Sequence, residues 1–270
     1  MNLGLLHRAA REALGLTMLC GLGIFLFQLL FALLTPVLAQ DFSDQFLKTR
    51  MSRFFLSAML GAEIDSAGPS LFAAIAWTHP VQLTLIFWHA IASATRVPAA
   101  EVERGTIDLL LGWPVSRWQV FAAELAVFAL SSALIVLVAL GGSRLGLWLS
   151  GASDGPGLSS ACAIALNLYA LCLALGGLAW LCSAGAERRG RAIATPVVLV
   201  LVSMLINFLA PVWEPAKSLS FLSVLHYYQP FASFARGAWP FGEVAVLLAF
   251  AVVTSALAAL WFQRRDLRAG

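Results

Sequence analysis

Apolar residues in this chain fall in long unbroken runs, not in the three-or-four spacing of a soluble helix or the alternation of a half-buried strand. Six runs stand out, at about 16–38, 70–93, 120–142, 158–182, 192–213 and 242–262. At 1.5 Å per residue, a run of about 20 crosses a hydrocarbon core of roughly 30 Å, so the pattern predicts six transmembrane helices. Outer-membrane barrel strands would be roughly ten residues of alternating polarity, and no such segments occur here. The predicted fold class is all-α and polytopic, with residues 1–270 as a single transmembrane domain.

The segments between the runs carry their own patterns. Leu3, Leu6, Ala10, Ala13 and Leu14 share one helical face, with His7, Arg8, Arg11 and Glu12 on the other. That predicts a short amphipathic elbow helix along the membrane interface, or equally an extension of the first span. Residues 39–69 interleave Phe42, Phe46, Phe54 and Phe55 with Lys48, Arg50 and Arg53, which predicts a loop resting on the membrane. Residues 214–241 are also too apolar for a solvated linker. With Leu225, Tyr227, Tyr228, Phe231 and Phe234 they should fold back and cap something, because irregular backbone at membrane depth survives only against protein or a watery cavity.

Composition supports the membrane reading and adds direction. Hydrophobic residues make up 60% of the 270 and charged ones 11%, against about 25% charged in soluble domains. Eleven basic residues fall on the side of the termini and of the loops after the second and fourth spans, and six on the other side. The positive-inside rule then places both termini in the cytoplasm. Trp88, Trp148, Trp180, Trp213, Trp239 and Trp261 sit near span ends, as in an aromatic belt. Arg8 and Arg11 before the first run resemble a secretory signal, but the run is longer than the 7–15 apolar residues of a signal and five more follow. Cys20, Cys162, Cys172 and Cys182 all lie inside apolar runs and read as buried free thiols, with no metal set.

The loop at 96–119 is the most densely patterned. Glu101, Arg104 and Asp108 stand at i, i+3 and i+7, with Ile107, Leu110 and Leu111 on an apolar edge, so a short two-edged helix is predicted. Gly112 and Pro114 end it, and Ser116 with Gln119 forms a capping box that starts the third span. A short helix fixed by a tight turn to a membrane helix can transmit a push from a cytoplasmic partner, or equally can lie in the headgroups.

The run from Glu101 to Arg117 resembles the E-x-E-R-G-T-x-x-x-L-L-x-x-P-x-x-R segment of ABC-2 type transporter permeases, at the position of that family's cytoplasmic coupling helix. Phe262-Gln263-Arg264-Arg265-Asp266-Leu267 is similar to the family's F-x-R-R-D-L tail, and Leu225-His226-Tyr227-Tyr228-Gln229-Pro230 to a weaker signature. The resemblance implies a membrane subunit of a bacterial exporter in the inner cell membrane. A second copy of this chain or a homologous permease would complete the pathway, above two copies of an ABC ATPase subunit. It assigns ATPase coupling to Glu101, Glu103, Arg104, Gly105, Thr106, Leu110, Leu111, Pro114 and Arg117. ATP and Mg are expected on the ATPase and no cofactor on this chain, which has no G-x-x-x-x-G-K-[ST] loop. Nucleic acid is not an expected partner.

Polar residues inside spans mark an interior or functional surface. His79 lies nine residues into the second span with Gln82 at i+3, and Pro80 between them can kink the helix. Together with Asn167 and Asn207 they are candidates for the substrate pathway or for helix–helix hydrogen bonds. His89 falls near the cytoplasmic end, within reach of water, while Glu124 and Glu243 read as complements to helix N-termini. Ala251, Ser255 and Ala259 form a small-residue stripe suited to close helix contact, within the chain or across a dimer. An intramembrane enzyme would need a serine–histidine pair, an HExxH motif or clustered aspartates in the spans, which are absent. An autonomous channel or ion-coupled carrier would carry charges deep in the spans, and those here sit near the ends.

Overall fold

The computed structural model describes residues 3–45, 49, 51–52, 69–101, 103–105, 115–151, 156–211 and 213–265. Among them all regular structure is helical, and six helices are long and apolar enough to cross a membrane. The first span is α1 (Leu3–Gln45). The second is broken into α2 (Pro69–Thr78) and α3 (Pro80–Ala94). The third, fourth and fifth are α4 (Arg117–Leu149), α5 (Leu158–Gly185) and α6 (Arg189–Leu209). After the short α7 (Glu214–Leu219) and α8 (Pro230–Arg236), α9 (Phe241–Arg264) is the sixth.

α5 is the central helix, the most buried of the six, and α6 the most peripheral. α1 packs along α4, and α9 along α5. Small residues permit both approaches. A Cβ on Gly142 or Gly146 of α4 would lie 2.6 Å from the carbonyl oxygen of Phe25 or Leu29 of α1, so those backbones touch only because no side chain intervenes. On the other seam, a Cβ on Gly177 would lie 2.9 Å from the Ala251 carbonyl oxygen and 3.1 Å from Ser255 Oγ, and Ala251 and Ala259 are buried. The small-residue stripe of the sixth span thus makes an intrachain contact with α5. The four cysteines are free thiols, Cys20 and Cys172 buried.

Three expectations need correction. The amphipathic N-terminal segment is not a separate interfacial elbow but the unbroken start of α1. Its buried stripe is Ala9 and Ala13 against Val127, with Leu6 half-buried beside them, while Leu3 and Leu14 are exposed. Packing on α4 gives these residues a dry partner that adsorption to headgroups does not. The third span does not end at 142 but runs to Leu149, because Arg144 satisfies its charge by donating from Nη1 to the Pro156 carbonyl (2.7 Å) and stays inside the helix. Glu124 is not a terminal complement either. The helix starts at Arg117 with the Ser116–Gln119 capping box in place, which puts Glu124 two turns in and 3% exposed.

Candidate functional site

The segment after the second span leaves α3 through Thr95 and widens into a π-helical turn, Arg96–Glu101. Ala100 N–H donates to the Thr95 carbonyl five residues back (3.2 Å). Pro98 within the turn has no N–H for an α-helical bond. Such turns re-aim side chains, and here the result is a polar junction among α1, α3 and α4. Arg96 pairs through Nη2 with the buried Glu124 carboxylate, reaches the Ala9 carbonyl (3.4 Å) and lies 3.6 Å through Nε from Glu12. Glu12 in turn holds Arg8 (2.8 Å), and Arg8 lies 3.7 Å from Glu101, which also takes Arg104 (3.1 Å).

The junction extends to the fifth span. Glu103 accepts from the backbone N–H of Arg189 (2.8 Å), the first residue of α6. A carboxylate there satisfies an orphan N–H and faces the positive end of the helix dipole. Gly105 adopts a left-handed conformation at φ 67°, which glycine takes without Cβ strain. Of the residues assigned to coupling, Glu101, Glu103 and Arg104 thus meet at one junction, and Gly105 follows them in the chain. Arg117 is placed apart, donating from Nη1 to the carbonyls of Gln263 (3.3 Å) and Arg265 (2.7 Å) at the end of α9. Thr106, Leu110, Leu111 and Pro114 lie outside the described residues, as does the rest of the predicted two-edged helix.

A second polar centre lies at the break in the second span. Thr78 closes α2 by donating its hydroxyl to the Ala74 carbonyl (2.8 Å). His79 is the N-cap of α3, its Nδ1 accepting from Val81 N–H (3.2 Å), with Pro80 at the first helical position, where proline is tolerated. The break frees the Trp77 carbonyl. Tyr228 Oη donates to it (2.9 Å), as does Gln82 Nε2 (3.4 Å). Gln28 of α1 donates to Gln82 Oε1. Burial pushes the Tyr228 phenol well above its ordinary value.

The apolar segment after the fifth span is the cap that its composition predicts. Leu225, Tyr228 and Phe234 join the main core, and Asn167 Nδ2 anchors the segment through the Tyr227 carbonyl (3.0 Å). Of the pathway candidates, Gln82 and Asn167 therefore make hydrogen bonds within the chain. His79 turns to Phe27 and Phe31, at ring-centroid distances of 4.9 and 6.1 Å. Asn207 is half-buried on α6 and, among the described residues, joins neither centre. His89 does not reach water: it is buried, 3.1 Å through Nε2 from Ser131 Oγ and stacked on Phe128.

With this geometry in view, the chain matches the family described as ABC-2 family transporter protein over residues 9–267. It belongs to that family. No match is found among curated proteins. This ABC-2 permease is a multi-pass membrane protein, and the family works with an ABC ATPase subunit. Reading its residues singly missed the Arg8–Glu12–Arg96–Glu124 network, because each arginine counted toward orientation and Glu124 toward a helix end. The available signal was a carboxylate inside an otherwise uncharged span, which requires a cation.

Proposed function

We propose that this permease is half of a dimeric exporter in the inner membrane, with both termini cytoplasmic, driven by a separate ATPase that docks on residues 101–117. The observation that carries the reading is the double tie at the near end of that segment: Glu101 to Arg8 of the first span, and Glu103 to the start of the fifth. A displacement of residues 101–105 by a docked subunit would load two transmembrane helices at once, as a rigid lever requires. Glu101, Glu103 and Arg104 would set register by charge, while Leu110 and Leu111 fill an apolar groove on the ATPase. ATP and Mg belong to that partner. Direction of transport, the second permease copy and the pair of ATPase subunits follow from the family's architecture. His79, Gln82, Asn167 and Asn207 are proposed to border the pathway, with Tyr228 holding its break closed.

The test is to purify the tagged permease in mild detergent from its native cell and identify what co-purifies stoichiometrically. A subunit bearing a phosphate loop is expected. The double variant Leu110→Glu, Leu111→Glu should release it while the permease remains monodisperse. Retention by that variant would overturn the docking assignment. Absence of any ATPase after crosslinking would overturn the assembly in favour of an autonomous channel or carrier.

A further inference from the structure

Away from both polar centres, α4 and α9 diverge over α5 and leave a groove of about 460 Å³ on the outer face of the bundle. Trp118, Ala122 and Ala129 line it from α4, and Ala259, Ser255 and Leu248 from α9, with Leu173 of α5 also lining it. From Trp118 to Ala129, and again from Leu248 to Ala259, is eleven residues, or about 16 Å at 1.5 Å per residue. That matches one leaflet, about 15 Å of a hydrocarbon core of roughly 30 Å. A spanning helix of a second copy would need a groove about twice as long.

The end of the groove nearer the chain termini is basic. Arg117 precedes Trp118, and Arg264 and Arg265 close α9 beyond Ala259. Arg117 and Arg265 each spend one guanidinium nitrogen on backbone carbonyls, Arg265 on those of Ala184 and Ala186, which leaves other N–H groups on each. Arg264 is exposed, and among the described residues none of the three is paired with a carboxylate.

We propose that this groove seats one acyl chain of an anionic phospholipid from the leaflet beside the chain termini, with its phosphate at Arg117 and within the electrostatic field of Arg264 and Arg265. An apolar slot of leaflet depth selects a hydrocarbon chain, and three cations at its mouth select a negative headgroup. The site shares Arg117 with the segment proposed for ATPase docking, but the groove itself lies apart from the junction at Arg96–Glu101 and from the broken second span, and lipid retention is read without the ATPase.

The probe is palmitoyl-oleoyl phosphatidylglycerol, compared with phosphatidylcholine of the same chains, added to delipidated full-length permease and followed by native mass spectrometry. One phosphatidylglycerol should be retained preferentially. Ala126→Phe fills the groove from α4 and Ala256→Phe from α9; each should abolish retention in protein that stays monodisperse on gel filtration, and either variant suffices if the other fails to fold. Arg264→Gln should weaken phosphatidylglycerol about fivefold, since one basic residue near a headgroup contributes about 1 kcal/mol, and leave phosphatidylcholine unchanged. Retention unchanged in both filled variants would overturn the site. Equal retention of the two lipids would overturn the headgroup assignment. A permease dimer that the filled variants dissociate would replace the lipid by a second copy.

Discussion

Arg96 and Glu124 form the most buried ion pair among the described residues, with side-chain exposures of 18% and 3%. Their surroundings make removal of either partner unequal. Arg96→Met strands the Glu124 carboxylate, whose only ion-pair partner among the described residues is Arg96, and breaking a buried pair in this way costs about 3–5 kcal/mol. Glu124→Met leaves Arg96 with Glu12 at 3.6 Å and the Ala9 carbonyl at 3.4 Å, nearer the rim, so the loss should lie at or below the lower end of that range. The double variant leaves no stranded charge, and apolar replacement of a whole buried pair is often neutral or stabilising. Reversible unfolding of the purified permease in mixed detergent micelles, followed by tryptophan fluorescence, reads all four corners of the cycle. The expected order is wild type close to the double variant, then Glu124→Met, then Arg96→Met. A double variant as unstable as the sum of the singles would refute the pairing, since interacting neighbours must be non-additive. Glu12, 37% exposed, should change stability by no more than about 1 kcal/mol when replaced by alanine.

Two further perturbations probe packing and the capped break, by the same unfolding assay. Tyr228→Phe removes one of two donors from the Trp77 carbonyl and should cost about 1 kcal/mol; Tyr228→Ala also empties a core position and should cost about 3–5 kcal/mol. Equal effects would mean that the ring is unpacked. Gly146→Val drives a side chain toward the Leu29 carbonyl oxygen 2.6 Å from the ideal Cβ, and should cost about 1–3 kcal/mol or more by overpacking. Gly141→Ala, with nothing within 4 Å of its Cβ, should instead stabilise α4 by about 0.5–1 kcal/mol. A harmless Gly146→Val would show that α1 and α4 do not touch there.

The sequence by itself determined the number of spans, their approximate limits, the capping box at Ser116 and the capping role of residues 214–241. These are local properties: an apolar run long enough to cross a bilayer has to be helical, because hydrocarbon offers the backbone no other hydrogen bonds. The glycines at 142 and 146 carried a readable small-residue spacing too, but ending the third span at 142 left Gly146 outside it. Pro80 showed where the second span can break, but not that Tyr228, 151 residues from Trp77, supplies a donor to the Trp77 carbonyl. Tertiary structure alone decided that the N-terminal segment continues into α1, that Glu124 is an ion-pair partner and that His89 is buried against Phe128. In each case local periodicity allowed two environments of similar cost. The choice fell to a neighbour brought by the fold: Val127 for Ala9 and Ala13, Arg96 for Glu124, Ser131 for His89. Pairing of distant polar groups depends on which helices meet and at what height, and no spacing along one helix encodes that.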